Sequence, residues 1–173
     1  VRIREAGHPL PDERGLAATE ELLALASSAG PEDLVLALIS GGGSALLTKP
    51  APGVSLADLQ KLTDLLLASG AEIGEINQLR QRLDVVKGGG LARVVSPANL
   101  AALILSDVVG DPLELIASGP TVITASPKQA ALATVRKYAL EDHLPGSIRS
   151  ALRRPPLPPF APNQPNNILV GNN

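Results

Sequence analysis

The densest concentration of chemistry in this sequence is Ser40-Gly41-Gly42-Gly43-Ser44. Glycines carry no Cβ to keep an anion away from backbone N–H groups, and the flanking serines add hydroxyls. A helix starting just after them would favour negative charge at the same place. These residues form a cradle for phosphate or carboxylate, or else a tight strand-to-helix turn. The loop is not a Walker A motif, because no Gly-Lys-Ser/Thr follows at that spacing, and the sequence holds no G-x-G-x-x-G. Gly42-Gly43-Ser44-Ala45-Leu46 also lacks the second glycine of a hydrolase nucleophile elbow.

Further candidates surround it in sequence. Lys87 precedes Gly88-Gly89-Gly90, where its ammonium would reach a phosphate as a point charge or answer the dipole of the helix it ends. On that helix Asn77, Arg80 and Asp84 fall within about 60° of arc at roughly 100° per residue, facing either a cleft or solvent. Asp107 closes an apolar run, a place suited to holding Mg²⁺ or accepting a hydroxyl proton, or to capping a helix after Pro112 with Asp111 as rival. Ser118-Gly119-Pro120-Thr121 forms a further polar turn. His8, between Gly7 and Pro9, is a base, a hydrogen-bond donor or a turn residue. His143, Arg136 and Lys137 read as surface residues.

The elements that must position these groups are legible from periodicity. Val1–Glu5 is expected as a short strand, and Asp12 as the cap of a helix running to about Ser28. Leu34–Ile39 and Leu100–Leu105 are apolar throughout, as in strands buried on both faces. Ser55 and Asp58 make a capping box for a helix to about Ser69, and Glu72–Val86 is another helix, stopped by the Gly88–Gly90 run. Pro127–Leu140 and Gly146–Leu152 read as helices, Arg154–Pro165 as a proline-dense linker, and Ile168–Val170 as a last strand. Strands alternating with helices imply a Rossmann-like three-layer α/β/α fold with a mainly parallel sheet. Ligands bind such sheets beyond the carboxyl ends of the strands, where most of the polar motifs fall.

Composition narrows the function classes. The chain has 173 residues, with 15 Lys plus Arg against 17 Asp plus Glu, so no basic surface for nucleic acid is expected. Cysteine is absent, which excludes disulfides, a thiol nucleophile and zinc-finger ligation. The aromatic residues are Tyr138 and Phe160, too few for base-stacking platforms. The longest apolar runs have six residues, far short of the about 20 that span a membrane. No signal peptide is visible at the N-terminus, and Val1 in place of methionine suggests an internal or processed piece.

Ordered motifs across Glu5–Thr121 resemble those of the class II glycerate kinases, the glycerate 2-kinases whose C-terminal domain carries the MOFRL motif. Glu5-Ala6-Gly7-His8-Pro9-Leu10-Pro11-Asp12 is similar to their E-G/A-G-H-P-x-P-D segment, and Ser40–Leu46 to S-G-G-G-S-A-L. Ile76-Asn77 with Arg80, then Lys87-Gly88-Gly89-Gly90-Leu91-Ala92, resembles I-N-x-x-R…K-G-G-x-L-A. Leu105–Asp111 and Ile116–Thr121 resemble L-S-D-V-x-G-D and I-A-S-G-P-T. Arg82 and Asp84 stand where many members carry His and Ser, and Thr124-Ala125-Ser126 replaces a P-D-P-like run.

The resemblance implies ATP-dependent phosphorylation of D-glycerate to 2-phosphoglycerate with Mg²⁺; a cytoplasmic location is expected, and composition leads to no expected nucleic-acid or membrane partner. It implies residues 1–153 as part of the N-terminal Rossmann-like domain, 154–166 as linker and 167–173 as the start of the next strand, with the MOFRL domain absent. In that frame Ser40, Gly41, Gly42, Gly43, Ser44, His8, Asn77, Gly88, Gly89, Ser118, Gly119 and Thr121 would hold phosphate or glycerate. Lys87 and Arg80 would offset charge, and Asp107 would hold Mg²⁺ or orient the glycerate hydroxyl. A hydroxypyruvate reductase and a non-catalytic anion-binding remnant are the rival expectations.

Overall fold

The apolar runs of the sequence become three parallel strands. In the computed structural model, which describes residues 1–123, 128–155 and 164–172, these are β1 (Leu34–Ile39), β2 (Asn99–Leu105) and β3 (Asn166–Gly171). The sheet order is β1-β2-β3, with Leu34 opposite Asn99 and Ala101 opposite Asn166. All three strands therefore end on one edge, at Ser40, Ser106 and Asn172.

Helix α1 (Glu13–Ser27) starts where Asp12 accepts the Gly15 N–H at 2.9 Å. Helices α2 (Gly43–Leu46), α3 (Leu56–Ala68), α4 (Ile73–Leu83) and α5 (Gly90–Val95) lie between β1 and β2. The expected Ser55–Asp58 capping box opens α3. Helices α6 (Lys128–Lys137) and α7 (Gly146–Arg153) follow β2. Two main apolar cores result. Leu23 and Ala26 of α1 and Leu91, Ala92 and Val95 of α5 pack with Leu100, Val35 and Ala37 of the sheet. Helices α3, α4, α6 and α7 close around Leu62, Leu66, Leu79, Leu83, Val135, Ile148 and Leu152.

The structure departs from several expectations. Val1–Glu5 is not a strand and lies exposed, with no neighbour in the sheet to complete its hydrogen bonds. Strand β1 is not buried on both faces: Leu34, Leu36 and Leu38 are 68%, 57% and 74% exposed, because the described helices cover only the Val35–Ala37 side. Helix α4 stops at Leu83 rather than Val86, since Asp84 adopts extended backbone. Helix α5 goes unforeseen, because its preceding glycines read as a stop; Gly89 in the left-handed region starts it. Thr124-Ala125-Ser126 and most of the proline-dense stretch lie outside the described residues. No helix among the described residues is long and apolar enough to cross a membrane.

Candidate active site

The carboxyl edge of the sheet gathers the glycine loop, Asp107 and His8. The loop leaves β1 at Ser40 and enters the single turn of α2, with Gly42 at φ 78 as its N-cap. Among the described residues, the N–H groups of Gly41, Gly42, Gly43 and Ser44 find no acceptor. Backbone donors are normally paired when they are not offered to solvent or ligand. Four adjacent N–H groups without a protein acceptor are open to solvent or to a ligand, as in loops that cradle phosphate.

Two side chains flank this loop. A Cβ on Gly41 would stand 1.8 Å from Asp107 Oδ2, so the exposed Asp107 carboxylate lies directly on the Gly41 backbone. A Cβ on Gly42 would stand 3.6 Å from His8 Nε2, which places the imidazole over the next residue. A side chain at Gly41 would displace the Asp107 carboxylate, and Gly42 favours glycine by its positive φ.

Ser44 ties the loop to the interior. Its Oγ lies 2.8 Å from Ser118 Oγ, and Ser118 in turn donates to Asn77 Oδ1 at 2.8 Å. Ser118 has one hydroxyl proton, so with that proton on Asn77 the Ser44 hydroxyl donates to Ser118. Ala117, Ser118 and Gly119 all have positive φ, at 50, 61 and 62. Such backbone carries strain of about 1–3 kcal/mol per non-glycine residue and persists only where its surroundings over-determine it.

Lys87 is not at the surface of the site. Its side chain is 3% exposed and Asp84's is 1% exposed, with Nζ 3.3 Å from Asp84 Oδ2. The ammonium donates to Ser44 O at 2.9 Å, Leu47 O at 2.8 Å and Thr48 Oγ1 at 3.2 Å. Asp84 also accepts the Lys49 and Val86 N–H groups. Burial pushes the Asp84 carboxyl up and the Lys87 ammonium down, and each opposes the other's shift through its charge. Asp84 therefore does not sit on the solvated face that the sequence allowed. Arg80 lines a cavity of about 30 Å³ with Ser44, Thr48, Asp84 and Lys87, room for a water or two. Burial lowers the Arg80 pKa and the Asp84 charge opposes that.

Other candidates are spent elsewhere. Gly88 and Gly89 donate their N–H groups to Ser118 O and Gly119 O, at 3.0 and 2.8 Å. Thr121 Oγ1 donates to Asn167 of β3 at 2.6 Å. Arg82 donates to the Arg154 and Pro155 carbonyls, joining the ends of α4 and α7. Sequence reasoning missed Thr48, which is buried and accepts from Lys87. A lone threonine after an apolar dipeptide carries no signal.

Residues 1–153 match the family described as Domain of unknown function (DUF4147). The chain belongs to that family. This DUF4147 chain is 51% identical to a glycerate kinase of Danio rerio over 149 residues, 86% of this chain and 30% of that protein. It is 46% identical to a glycerate 2-kinase of Pyrococcus horikoshii over 154 residues, 89% of this chain and 35% of that protein. The crystal structure of glycerate kinase from Thermotoga maritima superposes with a TM-score of 0.89 at 45% identity, over 97% of this chain and 40% of that one. The DUF4147 chain thus spans about a third of the length of the curated relatives it matches.

Proposed function

We propose that this chain forms part of a glycerate 2-kinase, which transfers the γ-phosphoryl group of ATP to the C2 hydroxyl of D-glycerate. The observation that carries the reading is the run of four free N–H groups from Gly41 to Ser44, bracketed by Asp107 and His8. Phosphoryl transfer needs mainly positioning and charge stabilisation, and such a loop supplies both. The similarity to proteins named glycerate kinase and glycerate 2-kinase supports the same reading.

In this reading the loop amides hold phosphate oxygens, or the glycerate carboxylate. Ser40 and Ser44 complete the loop, with Ser118 and Asn77 setting the direction of the Ser44 hydroxyl. His8 donates to the bound anion, and Asp107 orients the glycerate hydroxyl or holds Mg²⁺. The described residues contain no cluster of three or more His, Cys, Asp or Glu that would cage a metal. Asp107 would supply one of the one or two carboxylates that Mg²⁺ takes, with substrate phosphates and water completing its shell. The ion would neutralise phosphate charge there. Arg80 lends positive charge from beneath Ser44. An ATP-using reaction on a small acid belongs with an intracellular nucleotide pool, so a cytoplasmic location is part of the same proposal.

The test is ADP release from ATP and Mg²⁺ by the full-length protein that contains this chain, with and without D-glycerate. Phosphorus NMR then locates the product phosphate. Glycerate-dependent ADP and a phosphate on C2 are expected. A folded protein that releases no ADP with glycerate, and oxidises NADH with hydroxypyruvate, would overturn the proposal.

A further inference from the structure

We propose that Lys87 is a positioning residue: it orders the Gly41–Ser44 anion loop through the Ser44 and Leu47 carbonyls and does not touch substrate. The inference rests on the kinase reading above and assigns the role of a cation beneath that site. Helix α2 is a single turn, and one turn is unfavourable on its own because nucleation fixes several dihedrals for one hydrogen bond. Something outside it must hold its carbonyls in place. The Lys87 ammonium does so, at 2.9 Å from Ser44 O and 2.8 Å from Leu47 O.

An ammonium has three N–H donors, and the third is shared between Thr48 Oγ1 at 3.2 Å and Asp84 Oδ2 at 3.3 Å. Thr48 itself donates to Ser44 O at 3.1 Å, so two cooperating groups orient the same carbonyl. With its donors filled and its side chain 3% exposed, Lys87 has nothing left for a phosphate. Its counter-ion is equally fixed, because Asp84 accepts the Lys49 N–H at 3.1 Å and the Val86 N–H at 2.8 Å. Ser44 is where these contacts meet the loop: Lys87 sets its carbonyl, and Ser118 with Asn77 sets its hydroxyl. The Ala45 and Leu47 N–H groups bond in turn to Gly42 O and Gly43 O, at 3.4 and 2.9 Å, and so carry that anchorage back to the peptide planes of the Gly43 and Ser44 amides.

The test uses the full-length protein that contains this chain, with ATP as the probe. One variant combines Lys87→Met with Asp84→Asn, removing both buried charges together. A second, Thr48→Val, removes one acceptor of the ammonium together with the Thr48 donor to Ser44 O, and leaves the ion pair in place. Amide exchange at Ala45 and Leu47, whose N–H groups bond to Gly42 O and Gly43 O, is expected to rise about tenfold in the double variant, measured without ligand. Its ATP affinity is expected to fall about tenfold. The slope of log Kd against log salt concentration is expected to stay at the wild-type value, because no charge in contact with ATP has been lost. Thr48→Val is expected to shift exchange and affinity in the same direction, by roughly two- to threefold.

A shallower salt slope in the double variant would show direct contact between Lys87 and phosphate and overturn the proposal. Wild-type exchange and affinity in both variants would also overturn it. Should the double variant fail to fold, Thr48→Val decides on exchange and affinity. If the wild-type protein binds no ATP, the kinase reading fails, while ligand-free exchange still decides whether Lys87 orders the loop.

Discussion

Gly41–Gly43 and Gly88–Gly90 are two runs of three glycines in one chain, and they do opposite things. In the first, no amide from Gly41 to Ser44 finds an acceptor among the described residues. In the second, Gly88, Gly89 and Gly90 donate to Ser118 O, Gly119 O and Lys87 O. The first run sits at the carboxyl edge of the sheet with Asp107 and His8 against it. The second lies buried, splicing the end of α4 to the Ser118 turn and starting α5. Glycine is needed in both for close approach. What approaches is a side chain and solvent in one case and the protein's own backbone in the other. Where the N–H groups go therefore separates a loop open to solvent or a ligand from a structural splice, and glycine content does not.

The same substitution in the two runs should separate stability from activity. Gly90→Ala has the largest expected effect, since its Cβ would fall 1.8 Å from the Val85 carbonyl in a buried turn. Loss of more than about 4 kcal/mol, or failure to fold, is expected in a denaturant titration. Wild-type stability would erase the distinction between the runs.

Breaking the ion pair beside the second run comes next. Asp84→Ala leaves Lys87 buried without its counter-ion, at a cost of about 3–5 kcal/mol by chemical denaturation. In the first run, Gly41→Ala meets only the exposed Asp107 side chain, which can swing away. Its melting temperature is expected to stay within about 2 °C of wild type, while glycerate-dependent ADP release falls about 100-fold. Equal losses of stability and activity would mean that Gly41 is structural too.

The smallest effect serves as a control remote from both runs. Lys137, Tyr138 and the Glu72 N–H hold the Glu75 carboxyl down at about 2, below its ordinary value of 4.5. A lowered carboxyl pKa contributes stability above pH 4.5 that disappears as pH falls towards 2. Glu75→Gln should therefore melt roughly 2 °C below wild type at pH 7 and converge with it under acid, with activity unchanged at neutral pH.

Local patterns were legible in the sequence. Asp12 caps α1, Ser55 and Asp58 box the start of α3, and the apolar runs form parallel strands, because caps and periodicity depend on neighbouring residues. The covering of β1 was not legible: an all-apolar run states that both faces prefer burial, not that both are buried. Val1–Glu5 illustrates the same gap, since β propensity without a partner strand makes no ladder.

The site divides in the same way. What the Ser40–Ser44 loop, Asp107 and His8 bind is a proposal; that they gather at the carboxyl edge of the sheet could be read from the order of strands and motifs. The fates of Lys87, Gly88, Gly89 and Thr121 could not, because each is settled by a hydrogen bond to a residue more than twenty positions away. From the sequence alone, Lys87 and Asp84 are two charges on a polar segment. Tertiary packing closes α2, α3 and α4 over them, and desolvation converts two surface charges into a buried pair that must satisfy itself. The sequence determined which groups were available and where the chain could turn. Only the fold decided which donors were consumed and which were left open, because a hydrogen bond is a matter of distance and sequence states only order.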